Sequence, residues 1–201
     1  VSVLARGATL AALQEHGLRL GHEQHAVSAS SDAKALGVQD LVVIAVKAPS
    51  LLDVARQVGP LIGSHTVILT AMNGVPWWFL NDFGGDLAGT QLQAVDATGE
   101  IAAALPAAQV VGCVVHASCS VAAPGVIRHH FGNGLIIGEP SGQQSQRVQA
   151  LGHIAPENLR MVIDGPQTPG SMLVVGLGTG VNAAPVHPGP KGRIVPPSEC
   201  G

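Results

Sequence analysis

The segment that most narrows the folds open to this chain is Asp40-Leu-Val-Val-Ile-Ala-Val-Lys47. Six consecutive apolar residues, rich in Val and Ile, lie between two charges. A run that is apolar on both sides suits a strand of a parallel sheet covered on both faces. Pro49 follows where the first helical position would fall, and Leu51, Leu52, Val54, Ala55 and Val58 repeat at helical spacing. Thr66 to Thr70 is a second β-branched run, and it ends in the turn signal Ala-Met-Asn-Gly-Val75. Upstream, Val1 to Leu4 reads as a strand, and Thr9 to His16 reads as a short helix stopped by Gly17. Strand, helix, strand, helix, strand predicts right-handed crossovers and an open α/β sheet, doubly wound and mostly parallel, with helices on both faces.

The texture changes after Gln109. Val110 to Ser118 and Gly125 to His130 read as two extended segments forming an antiparallel pair at the far end of the sheet. Leu135 to Glu139 reads as a separate last strand, and Gln143 to Leu151 as the start of a helix. Beyond His153 the pattern fails, because eight of the 14 prolines lie between Pro156 and Pro197. Proline removes donors and clashes inside helices, so residues 153–201 are expected to form an irregular Pro/Gly-rich tail, and residues 1–152 the ordered domain.

Composition removes several classes of function. Apolar residues make up 46% and charged residues 11%, which is a burying sequence and not a disordered one. A net charge of −3 with 2% aromatics and no Tyr offers neither the basic stripe nor the stacking platforms of a nucleic-acid binder. Three cysteines cannot form a closed disulfide framework, so the chain reads as reduced and cytoplasmic. Ile101 to Ile127 lacks charged residues and is long enough to span a bilayer, but Pro106, Gln109, His116, Ser118, Ser120 and Pro124 interrupt it. No membrane span is expected.

In open parallel sheets, ligands bind beyond the carboxyl ends of the strands. Three residues stand there: Arg6, Lys47 and Asn73. An arginine at the end of the second strand of a dinucleotide fold pairs with a 2′-phosphate, which suits NADP; the plain alternative is a solvated strand-end arginine. Lys47 is either a surface cap or a fixed cation beside a phosphate or carboxylate. Asn73 is either an ordinary Asn-Gly turn residue or an amide bridging a cofactor ribose and a substrate oxygen.

Other patterns carry less. Cys113, His116 and Cys119 have metal-like spacing, but on a strand residue 116 points away from 113 and 119. The rings of His129 and His130 diverge in an extended segment, leaving one of them to face the cleft. Leu173 to Gly180 looks like a glycine-rich phosphate loop, but the third glycine of the fingerprint would fall at Val181, and Pro185 interrupts the helix it would open.

Taken in order, Val3-Leu-Ala-Arg6, Asp40 to Ala48, the strand into Met72-Asn-Gly-Val75, Val115-His-Ala-Ser118, and Pro124 to His129 running on to Ile137-Gly-Glu139 resemble the ketopantoate reductase (2-dehydropantoate 2-reductase) family over about residues 1 to 150. The resemblance implies a Rossmann-type domain followed by a helical one, and NADPH-dependent reduction of 2-dehydropantoate to (R)-pantoate, a step toward pantothenate and coenzyme A. It implies Arg6 at the 2′-phosphate, Lys47 and Asn73 along the nicotinamide half, Asn73 also near the substrate, and Ser118 contacting the cofactor through its backbone. The partner would be a small 2-keto acid, and a homodimer is compatible. The family's first strand and glycine turn have no counterpart in this sequence, so the sheet is expected to lack its first strand. The family's proton-donating lysine would follow the sheet, yet no lysine occurs between Lys47 and Lys191, so no residue takes that role. Two other functional expectations stand beside this one: a reductase of another 2-keto acid on the same fold, and a non-catalytic truncated fragment.

Overall fold

The structure is a computed structural model, and it describes residues 1–82, 84–154, 159–163, 172–176 and 182–186, the last two segments as backbone only. The first βα unit is β1 (Ser2–Leu4) and α1 (Gly7–His16). Helix α1 stops at Gly17, whose N–H bonds the Leu13 carbonyl. Three short strands follow, β2 (Leu18–Leu20), β3 (Glu23–His25) and β4 (Ser28–Ser30), and then α2 (Ala33–Leu36). Asp32 caps α2 by accepting from the Lys34 N–H at 2.9 Å. The strand predicted to be buried on both faces is β5 (Gln39–Ile44). A 3-10 turn carrying Pro49 leads into α3 (Leu51–Val58), and β6 (Ile62–Ala71) follows. The predicted helix and both strands are therefore present.

Farther along lie α4 (Glu100–Ala104), β7 (Val110–Ala123), β8 (Val126–Gly138), α5 (Gln146–Ile154) and β9 (Arg160–Ile163). The buried Asp96 carboxylate accepts from the Ile101 and Ala102 N–H groups and so caps α4. The two extended segments do form an antiparallel pair. One correction applies: β8 is continuous to Gly138, and no separate strand begins at Leu135. The β7–β8 ladder absorbs three register shifts, so one long, bulged strand does what two were expected to do.

The sheet has the order β3-β2-β8-β7-β6-β5, with β9 added parallel to β8. β5, β6 and β7 run parallel. β1 and β4 form a separate parallel pair, although Leu4 packs on the same core as Val42 and Ile44. In a doubly wound order of 3-2-1-4-5-6, β4, β1, β5, β6 and β7 take places 3, 2, 4, 5 and 6. Place 1 falls at the break between the two sheets.

Strand alternation sorts the core into two layers. Even-numbered residues of β5, β6 and β7, including Val42, Ile44, Ile68 and Val110, pack with α3, α4 and Trp77. Odd-numbered Leu69, Val111 and Cys113 pack with Ile137 and with Val148 and Leu151 of α5. Helices thus cover both faces, as expected of a doubly wound sheet. The reading of β5 as covered on both faces needs a correction, however. Val43 of β5 is 52% exposed, so this strand is buried on one face only; α5 packs farther along the sheet, over β6, β7 and β8.

The region after 153 is also corrected in part. β9 joins the main sheet, and β10 (Met172–Gly176) pairs antiparallel with β11 (Asn182–Val186), so the tail is not irregular throughout. The glycine-rich pattern at 173–180 lies partly outside the described residues. Among the described residues, no helix is long and apolar enough to cross a membrane; most of Ile101–Ile127 is α4 and strand.

Candidate functional site at the carboxyl end of the sheet

Ile44 of β5 lies in register with Thr70 of β6. Lys47 and Asn73 each follow three residues later, at the same end of the sheet and beyond its last registered pair. Both are exposed. Lys47 precedes the 3-10 turn and α3 without capping them through its side chain. Arg6 is exposed and stands at the N-cap of α1, again with no side-chain cap. It follows β1, whose Leu4 shares the core with Ile44.

Asn73 is more than a turn residue. Its Nδ2 donates to the Val115 carbonyl at 3.0 Å, and its Oδ1 accepts from the Val115 N–H at 2.8 Å. The amide continues the β6–β7 ladder after the last backbone pair, Ala71 with Cys113. A primary amide has two N–H donors and two carbonyl lone pairs. One of each is spent on Val115, so one of each is left.

From Val115 onward the β7–β8 arm continues past the ends of β5 and β6, with β8 flanked by β9 at Gly134 and Leu135 and by β2 at Val126 and Ile127. The eight residue steps from Val115 to Ala123 at strand rise reach roughly 26 Å. Ser118 lies at the base of this arm, half-buried, and the ladder shifts register on both sides of it. Bulges release backbone groups from pairing, which suits a residue expected to act through its backbone. Farther out, Ser120 Oγ meets His130 Nε2 at 2.8 Å, and His129 Nε2 meets the Gly132 carbonyl at 2.6 Å. Both histidines are thus held within the arm.

The opposite end of the sheet holds a feature that sequence reasoning missed. Glu139, just past β8, takes hydrogen bonds from Arg147 on both carboxylate oxygens, with Nε to Oε1 at 2.7 Å, and from Ser145 Oγ. Arg147 also donates to the carbonyls of Ala108 and Val110. Burial pushes the Glu139 carboxyl up, but the hydrogen bonds from Arg147 and Ser145 outweigh it and hold the group below its ordinary range. The same contact with Glu139 raises Arg147. Ser145 accepts from the Val148 N–H and caps α5, a serine signal that was available before the helix. The eight-residue separation of Glu139 and Arg147 crosses a turn and carries no periodic signal.

Cys113 is buried, and burial pushes its thiol up to about 11. A protonated thiol facing α5 is a packing group and a poor nucleophile.

The family model described as ketopantoate reductase PanE/ApbA matches residues 1–142. A 2-dehydropantoate 2-reductase of Mesorhizobium japonicum is 48% identical over 155 residues, which is 75% of this chain and 48% of that one. A ketopantoate reductase homologue from Ralstonia solanacearum has a solved structure that superposes with a TM-score of 0.78 at 49% identity, over 81% of this chain and 52% of that one. A PanE/ApbA family ketopantoate reductase from Ralstonia eutropha gives a TM-score of 0.60 at 25% identity, over 81% of this chain and 48% of that one. The chain spans about half the length of these relatives. The order of its parallel strands and the match over residues 1–142 place this chain in the ketopantoate reductase PanE/ApbA family.

Proposed function

We propose that this chain is the nucleotide-binding layer of an NADPH-dependent reductase that converts the 2-keto acid 2-dehydropantoate to (R)-pantoate. The observation that supports the reading is the register of β5 and β6, after which an exposed cation and a half-satisfied amide each follow the last registered pair, Ile44 with Thr70, by three residues. Those groups fit the nicotinamide half of NADPH: Lys47 faces a phosphate or carboxylate, and Asn73 offers one donor and one acceptor. Arg6 fits the 2′-phosphate, because an uncapped, exposed guanidinium is available for bidentate pairing. Ser118 would add a backbone contact from the bulged base of the arm. NADPH, when bound, supplies the hydride; the residues here bind it, orient it and hold the substrate oxygen by hydrogen bonding. The paired functions of the family relatives support the substrate class, and the cysteine usage supports a cytoplasmic setting.

Titration of the chain with NADPH and NADH, followed by nucleotide fluorescence, tests this. Replacing a charge-assisted contact weakens binding about tenfold or more. Arg6→Ala is expected to do so for NADPH and to leave NADH nearly unchanged. An equal loss for both, or none for either, overturns the assignment of NADP.

A further inference from the structure

His116 stands one residue beyond the Asn73–Val115 bonds, on the face of β7 opposite Val115. That face is the even-numbered one, where Trp78 lies against Gly112: a Cβ at Gly112 would sit 2.8 Å from the indole. Ser118 is on the same side two residues farther up. The cross-strand neighbour of His116 is Gly134, which has no side chain to cover the ring. Gly132, at φ +75°, is the next glycine on β8, and any side chain there would strike the His116 carbonyl. On the other flank, β6 has already ended at Ala71. The cross-strand neighbours of the imidazole on β8 are therefore glycines and not side chains. Its Nε2 is buried and has no hydrogen-bond partner. A buried polar atom left unpaired is destabilising, and such atoms are uncommon in folded proteins.

We propose that His116 is a cofactor-contacting residue whose ring Nε2 pairs with the carboxamide of the nicotinamide. The inference rests on the dinucleotide reading above. It follows from where the unpaired nitrogen lies: on the residue after Val115, which Asn73 bonds, two residues before Ser118, and on the strand that continues past the carboxyl ends of β5 and β6. A carboxamide both donates and accepts, so it can complete an imidazole nitrogen in either tautomer.

Two analogues separate the cases. The 3-acetylpyridine form of NADP⁺ lacks the amide N–H, and the thionicotinamide form replaces the carbonyl oxygen by a poor acceptor. In the unaltered chain, one of the two is expected to bind about tenfold more weakly than NADP⁺ itself, the loss of one hydrogen bond. His116→Leu is expected to erase that discrimination, and His116→Gln to keep most of it. An unchanged ratio in His116→Leu overturns the proposal, as does equal binding of all three nucleotides by the unaltered chain. Should His116→Leu not fold, the ring nitrogen resonances of His116 in the unaltered chain decide: they shift with NADP⁺ and not with the disfavoured analogue, or the proposal fails. Failure of NADP⁺ to bind the unaltered chain brings down the dinucleotide reading. Binding that responds to Arg6→Ala but not to His116→Leu leaves that reading standing and removes only His116.

Discussion

The two ends of the sheet are built on opposite principles. Around the start of β7, Ile68, Val110, Val111 and Ile137 are each 0% exposed, and the Arg147–Glu139 pair joins the start of β7, the end of β8 and α5. There Glu139 and Arg147 satisfy each other, and Arg147 also serves two backbone carbonyls. At the carboxyl end, Arg6, Lys47 and Asn73 are exposed, Asn73 keeps a free donor and acceptor, and His116 Nε2 has no partner at all. The same strands supply both ends. Satisfied polar groups and dense packing rigidify; unsatisfied ones are poised for a ligand.

The sharpest test of that contrast lies in the apolar base. Ile68→Ala is expected to destabilise by about 2–5 kcal/mol, read by urea unfolding, because a fully enclosed side chain leaves a cavity. A loss under 1 kcal/mol would mean that the base is not the close-packed end.

Next comes the clamp. The Glu139 side chain is 8% exposed and that of Arg147 is 31% exposed. Arg147→Met strands a mostly buried carboxylate, and its partial exposure reduces the cost of a fully buried broken pair to roughly 1–3 kcal/mol at pH 7. The pH dependence follows from the lowered Glu139. A depressed folded-state carboxyl stabilises above its unfolded value, near 4, and that stabilisation disappears as pH falls through the folded value. The gap between wild type and Arg147→Met should therefore shrink in acid-unfolding curves below about pH 4. A constant gap would show that Arg147 acts by packing alone.

Asn73→Asp should cost about 1 kcal/mol, since it keeps the acceptor for the Val115 N–H but sets a carboxylate oxygen against the Val115 carbonyl. Asn73→Ser would lose both bonds, and thermal unfolding ranks the two variants. The smallest structural effect belongs to Lys47→Met, expected within about 0.5 kcal/mol of wild type because the side chain is exposed. Its effect should appear instead in NADPH titration, as a roughly tenfold loss. A stability loss equal to that of Asn73→Asp would place Lys47 among the structural residues.

Much of this was readable from local pattern. β-branched runs at 41–46 and 66–70, Pro49 before an amphipathic helix, and Gly17 after a short one are signals a few residues long, and each lies where its element forms. The placement of Lys47 and Asn73 at strand ends followed from the same runs. Three features were not readable. The exposure of Val43 depends on which helix covers β5, which no residue of β5 encodes. The merging of the segments around Gly125 to His130 and Leu135 to Glu139 depends on bulges that carry a strand through glycines normally read as breaks. Arg147 meets Glu139 only because a turn folds α5 back under the sheet.

Residue type and period determined which stretches of this protein are strands or helices and which polar residues stand at strand ends, because backbone preference and amphipathicity act over single turns and pleats. Tertiary structure decided which of those residues are satisfied. Whether Asn73 spends half its amide on Val115, or His116 keeps an empty nitrogen, depends on strands more than forty residues apart meeting in one particular register, and hydrogen bonding is decided by distances of a few tenths of an ångström that no local pattern carries.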